Sequence, residues 1–317
     1  MATYVELLEK DFARQIEFLN IKKYHEHGFK GNGITILNAE SIGDHREMTS
    51  KVIRDFAPEV TLLESLISAR TSGDKVLEAT VTINGEKLDF EKAIDKYNIK
   101  IVTRSYSGSS SSAFLNYLKD IQKRKGVIFF CSAGNEGVEG VTGVYAKDDT
   151  AIAVGAAKLK ENGTVERMYY SAIGEELDFM CLMARGTGTS AASPALAAIT
   201  VLLLQRYGDF NQDECMEVLK YCCVDLGELG DDNYFGWGIP VLPLTDKLEI
   251  LEKLRGEEMP QFKDVEDTRW SKEAIDCLVA RGELKGFEDG TFRPSEPLTR
   301  EQYAQARYNQ LKLEGRI

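Results

Sequence analysis

Only three histidines stand in the 317 residues, so the search for a general base is short. His25 and His27 lie in KKYHEHGFKG, a polar stretch with no Cys or carboxylate cluster beside it, and read as structural or surface residues. His45 follows the first apolar run within SIGDHREMTSKVI. A strand-to-helix junction is the functional end of a parallel sheet, although a lone histidine there is more often structural. A nucleophile is offered by Ser190 in GTGTSAASPALAA, Gly186–Ala198. A bare serine ahead of a helix is ordinarily a cap. Here Gly188 admits close backbone approach, Ala191 and Ala192 leave room beside a substrate, and Pro194 suits the first turn of a helix. Asn135 sits in SAGNEG, either as a turn residue or as an amide N–H donor aimed at a developing oxyanion. An alcohol, an imidazole and a carboxamide are the parts an acyl-transfer site needs.

The elements that must position these groups alternate. Apolar runs at Ile34–Leu37, Val60–Leu63, Lys100–Ser105, Gly126–Cys131 and Ala151–Ala156 read as strands. Phe90–Tyr97, Ala113–Lys125 and Pro194–Tyr207 read as helices, the last apolar nearly all round and therefore a core helix. Repeated strand–helix order predicts an α/β fold: a three-layer parallel sheet with helices on both faces and ligands at the carboxyl ends of the strands. The composition changes at the charged stretch Arg255–Pro260, which divides the chain into 1–255 and a small helical unit, 256–317. In the latter, helical segments near Ser271–Ala280 and Thr299–Leu311 flank the turn-rich GFEDGTFRP.

Composition narrows the function classes. Thirty-nine basic and 51 acidic side chains give a net charge of −12, and neither part of the chain is basic, so nucleic acid is not expected as a partner. Ala191–Leu204, the longest uncharged apolar stretch, is too short for a membrane span. The six cysteines include no CxxC pair and read as reduced thiols. The opening MATYVELLEKDFARQ lacks an apolar h-region, so no signal peptide is expected.

Taken in order, the segments resemble the subtilisin-like (S8) serine peptidases over roughly Phe18 to Leu248. YHEHGFKGNGITIL is similar to that family's lead-in and first strand, FFCSAGNEG to its oxyanion segment, GTSAASPALAA to its nucleophile signature and FGWGIP to its closing turn. The resemblance implies a serine endopeptidase with Ser190 as nucleophile, His45 as general base and Asn135 as oxyanion donor. It implies a protein or peptide substrate added as an extra strand along Ser105, Tyr106, Ser107 and Gly108. It implies no cofactor. Calcium sites occur in the family, but no matching ligand loop is found, so no metal is expected. The family usually needs an N-terminal prodomain, and none is recognised ahead of the first strand.

Two features depart from the pattern. Where the family has the acid of the triad, this chain has Asn38, and His45 follows it by only seven positions. An amide fixes an imidazole without supplying charge, and in serine proteases the Asp→Asn change costs about 10⁴-fold in turnover. Three expectations follow: a slow peptidase with Asn38 as orienter, a peptidase whose acid is Glu40 or Asp44, or a pseudoprotease that binds peptide or wall material without cleaving it.

The segment Phe262–Leu311 resembles one S-layer homology (SLH) module, through FKDV, Trp270 before a helix, GFEDGTFRP and the TRE of Thr299–Glu301. That implies bacterial cell-wall polysaccharide as a partner, with Trp270 and Arg300 as glycan contacts. With no signal peptide read, the expected location is the cytoplasm, or the wall after release by lysis or carriage on a phage-like particle.

Overall fold

The structure is a computed structural model that describes residues 4–108, 110–146, 150–183, 188–245, 247–255, 262–266, 268–280, 283–287 and 289–313. The chain forms two compact units, Met1–Leu242 and Pro243–Ile317. Residues 256–260 of the charged stretch, where the sequence suggests a division, lie outside the described residues.

In the first unit, α1 (Tyr4–Phe18) and α2 (Ile21–Glu26) precede β1 (Thr35–Asn38), α3 (Asp44–Phe56) and β2 (Thr61–Glu64). Next come β3 (Ser68–Ser72), β4 (Lys75–Ile83), β5 (Glu86–Asp89), α4 (Phe90–Tyr97), β6 (Ile99–Arg104), α5 (Ser112–Lys125) and β7 (Ile128–Ser132). The unit continues with β8 (Ile152–Leu159), β9 (Val165–Arg167), β10 (Phe179–Leu182), α6 (Thr189–Tyr207), α7 (Gln212–Cys222), β11 (Cys223–Val224) and β12 (Ile239–Pro240).

The main sheet runs β10-β8-β7-β6-β1-β2, all parallel, and β9 pairs antiparallel with the last residues of β8. Every residue of β1 and β7 is buried. Successive strand side chains point to opposite faces, so both faces of the sheet are covered, as the apolar runs predict. The second unit holds α8 (Glu249–Leu254), α9 (Lys272–Ala280) and α10 (Arg300–Leu313).

Two details differ from expectation. Gly126 does not begin β7; it ends α5 in the left-handed conformation, with φ 64°, which only glycine adopts cheaply. Between β2 and α4 the chain forms a separate antiparallel sheet, β3-β4-β5, that the sequence reading left unassigned.

Chain order creates the crevice. From β1 the chain adds β2 on one side, then returns to place β6 on the other. Such a reversal opens a gap at the carboxyl ends of the two strands, where no connection crosses. Beneath it runs α6, buried at every residue from Ala191 to Leu204. Its Ser193 hydroxyl meets Thr103 Oγ1 of β6 at 3.1 Å, which ties the helix to the strand bordering the crevice.

Candidate active site

Asn38 is the last residue of β1 and is 1% exposed. Its Nδ2 donates to Thr49 Oγ1 at 2.8 Å and Ser50 Oγ at 2.9 Å, both on α3. No hydrogen bond joins it to His45 among the described residues. Asn38 latches the helix to the strand, so the expectation that it orients the base does not hold in this geometry.

The extended backbone continues beyond it: Ala39 N–H donates to Thr103 O at 2.9 Å, one more rung on β6. Residues i and i+2 of an extended chain share a face, about 6.6 Å apart. Glu40 therefore follows Asn38 on the same side, one step nearer the rim. It is 3% exposed, and its Oε2 lies 3.2 Å from His45 Nδ1. Its Oε1 accepts the backbone N–H of Ser105. Asp44 is exposed and makes no such contact. Of the three sequence candidates for the acid, the structure brings only Glu40 to the imidazole.

The shortened loop explains the shift. His45 is the second residue of α3, and the helix begins only six residues after Asn38. So early a helix delivers the ring to the residue beyond the strand end rather than to the strand end itself. His45 remains half exposed while its carboxylate partner is buried. With Nδ1–H given to Glu40, the ring leaves Nε2 as its basic nitrogen.

Ser190 occupies the first turn of α6 and is partly exposed, whereas Thr189 and Ala191 on either side are buried. In the first turn a backbone N–H has no intrahelical acceptor, so the Ser190 N–H is available beside the positive end of a 19-residue helix. Pro194 stands in the second turn rather than the first, four residues after Ser190. Lacking N–H, it cannot satisfy the Ser190 carbonyl. Ser105 Oγ does so instead, at 3.1 Å. One residue, Ser105, thus grips both the carboxylate and the nucleophile's backbone, a role its place in SYSG did not disclose.

Asn135 lies past the end of β7 and is exposed. Its Oδ1 accepts from Thr189 N at 2.8 Å and Thr189 Oγ1 at 3.2 Å. With the oxygen so anchored, Nδ2 is the part of this amide left to donate. Gly188 makes this possible. Its φ is +77°, and a Cβ there would meet the Asn135 amide at 2.9–3.2 Å. The Gly188 N–H donates to the Tyr170 hydroxyl at 3.1 Å, fixing the turn. Gly186 and Thr187 lie outside the described residues.

A continuous chain of bonds runs from Asn135 through Thr189 and Ser190 to Ser105, Glu40 and His45. Among the described residues no hydrogen bond joins Ser190 Oγ to His45; catalytic bonds of this kind are often long without substrate. The nearby Cys131 thiol is pushed up to about 12 by complete burial, which leaves it protonated and inert at neutral pH.

The Ser105–Gly108 segment spends alternate backbone groups on one neighbour. Tyr106 O accepts from Val144 N at 2.9 Å and Gly108 N donates to Thr142 O at 3.1 Å. Ser107 faces Gly143 as an antiparallel bridge. The Ser105 carbonyl and both backbone groups of Ser107 are left facing the other side, an edge onto which an extended peptide can pair.

A family model described as the subtilase family matches residues 15–238. The chain belongs to the subtilase family. An S-layer homology domain occupies residues 261–304. Subtilisin DY of Bacillus licheniformis is 30% identical over 159 residues, 44% of this chain and 54% of that protein. Outer membrane protein SlpA of Thermus thermophilus is 47% identical over 57 residues, 18% of this chain and 6% of that one. The chain thus spans about half of the first relative and a small part of the second. Among solved structures, a lanthipeptide protease superposes with a TM-score of 0.53 at 15% identity, covering 79% of this chain and 97% of that one. MycP1 with its N-terminal propeptide removed gives 0.52 at 16% identity, covering 71% and 94%. At these identities the likeness concerns the fold, which is that of subtilases.

In the SLH unit, Asp264 accepts backbone N–H groups of Phe292 at 2.8 Å and Arg293 at 2.7 Å, and these bonds hold its carboxyl below the usual range. Asp289, bonded to Thr291 and Arg293, is lowered to about 2. Gly286 has no room for a side chain: a Cβ would meet the Phe262 ring at 2.0 Å. Trp270 is 92% exposed beside a hollow shared with Lys263, Asp264 and Arg269. Arg300, exposed at the start of α10, does not line that hollow. No described helix is long and apolar enough to cross a membrane.

Proposed function

We propose that this subtilase hydrolyses peptide bonds with a relocated acid, Glu40, in place of the carboxylate missing at Asn38. Ser190 Oγ attacks the scissile carbonyl carbon while His45 Nε2 takes its proton. Glu40 accepts from His45 Nδ1, fixes the tautomer and balances the imidazolium that forms. Asn135 Nδ2 and the Ser190 N–H hold the anionic oxygen. The C–N bond then breaks as His45 returns the proton to the leaving amine, and water hydrolyses the acyl-enzyme by the same route in reverse.

The substrate is an extended protein or peptide segment paired with Ser105 and Ser107. The SLH domain directs the enzyme to polysaccharide at a bacterial cell surface, with Trp270 and Arg300 as contacts. The observation that carries the reading is the 3.2 Å approach of the buried Glu40 carboxylate to His45 Nδ1. A pseudoprotease has no chemical use for that pair. Casein hydrolysis by the purified chain, abolished in Ser190→Ala, tests it. A folded wild-type chain with no turnover beyond the Ser190→Ala background returns the protein to the binding class.

A further inference from the structure

Two of the buried side chains of the subtilase unit are charged, Glu40 at 3% and Arg104 at 7% exposure. They sit on adjacent segments and are clasped reciprocally. Arg104 Nη1 donates to the carbonyl of Ala39, the residue before Glu40. Glu40 Oε1 accepts the N–H of Ser105, the residue after Arg104. With the Ala39–Thr103 rung, three bonds join residues 39–40 to 103–105 beyond the end of β1. The Tyr106 ring covers the guanidinium, its centroid 4.8 Å from Cζ. Arg104 Nε has no hydrogen-bond partner among the described residues, so the guanidinium's hold on this segment is through Nη1.

A carboxylate taken out of water needs donors to hold it. Glu40 has the imidazole Nδ1–H of His45 from α3 and the Ser105 N–H beyond β6, and both reach it only while residues 39–40 stay clasped to residues 103–105.

We propose that Arg104 is a positioning residue for hydrolysis: by donating to the Ala39 carbonyl, its buried guanidinium clasps residues 39–40 to the end of β6 and so holds the Glu40 carboxylate in reach of His45. The inference rests on Glu40 serving as the acid. It gives a role to the buried arginine that ends β6.

The test compares Arg104→Gln and Arg104→Met, both neutral, with Arg104→Lys, each in the wild-type and Glu40→Gln backgrounds. Circular dichroism melts identify folded variants, and two neutral replacements keep the test alive if one fails to fold. Peptide turnover is followed at pH 8. The neutral variants are expected to lose about tenfold or more in kcat with KM within about threefold. Arg104→Lys recovers most of the rate. In the Glu40→Gln background, removing Arg104 costs less than about twofold, the signature of two residues acting as a unit. Neutral variants with wild-type kcat overturn the proposal, as does an equal loss in both backgrounds. If Glu40→Gln is crippled and Arg104→Gln is not, only the Arg104 assignment falls. A wild-type-like Glu40→Gln enzyme removes the Glu40 reading itself.

Discussion

Replacing Glu40 by Gln keeps the shape of the side chain and exchanges one acceptor oxygen for an NH₂. In the native site both oxygens accept, one from His45 Nδ1 and one from the Ser105 N–H. A glutamine can satisfy only one of these donors. If its oxygen stays with Ser105, the NH₂ faces the imidazole and selects the tautomer that carries its proton on Nε2, which cannot accept a proton from Ser190. If the oxygen turns to His45, the NH₂ opposes the Ser105 N–H, a buried donor left unsatisfied at about 1–3 kcal/mol. In either orientation no charge balances the imidazolium. Loss of the carboxylate in serine proteases costs about 10⁴-fold, or roughly 5.4 kcal/mol of barrier. Because His45 is half exposed, water supplies some of what is lost, and a fall of about 10³–10⁴ in kcat is expected with KM nearly unchanged. Steady-state hydrolysis of a chromogenic peptide at pH 8, on protein with a wild-type melting curve, measures it. A Glu40→Gln enzyme within tenfold of wild type refutes the relay.

Three further outcomes follow from the same geometry. Asn38→Asp is expected to give no gain in activity and a Tm lower by about 5 °C, because it buries a second carboxylate on the face Glu40 already occupies; a large rate increase in a casein assay would return the acid to the strand end. Gly188→Ala forces a Cβ against the Asn135 amide at a left-handed φ, costing about 1–2 kcal/mol of stability; by displacing the oxyanion donor it lowers kcat toward the 10²–10³-fold loss seen when such a donor is removed, and unchanged kcat would show that Nδ2 does not serve the oxyanion. In the SLH unit, Asp264 and Asp289 are held below the usual carboxylate range in the fold. The unfolded chain binds protons first, so their contribution is complete above about pH 4 and fades as pH falls toward about 2; thermal melts of this unit that are flat from pH 6 to pH 2 would contradict it.

Ser190 and Asn135 were singled out because each lies in a motif, and His45 by its place in the chain and the lack of another candidate; the structure brings Asn135 to Thr189, beside Ser190, and His45 to Glu40. For the acid the sequence offered only a choice among Asn38, Glu40 and Asp44. Sequence spacing does not say how far an extended strand continues, and here the Ala39–Thr103 rung carries it past the expected end. Ser105's grip on the Ser190 carbonyl was readable in principle from Pro194, since a proline four residues on leaves that carbonyl without its N–H. Arg104 carried no such signal: the run Lys100–Ser105 holds two cations, and nothing in it says which of them is buried. The β3-β4-β5 sheet had a plain signature that went unassigned. Buried Ala79, Val81 and Ile83 alternate with more exposed neighbours, followed by Asn84–Gly85 at φ 53° and 81°, the turn a tight hairpin requires. Neither Trp270's exposure nor Arg300's place outside the Trp270 hollow could be read from a motif, because the motif fixes the turn and not the surface around it.

The account stands on Glu40 activating Ser190 through His45, and the rate of Ser190 phosphonylation by a fluorophosphonate reads that directly, without needing the natural substrate. The relay predicts rapid labelling in the wild-type chain and in Asp44→Asn, and labelling slowed by at least about 10²-fold in both His45→Ala and Glu40→Gln. Labelling that proceeds at the wild-type rate without either the imidazole or the Glu40 carboxylate contradicts it.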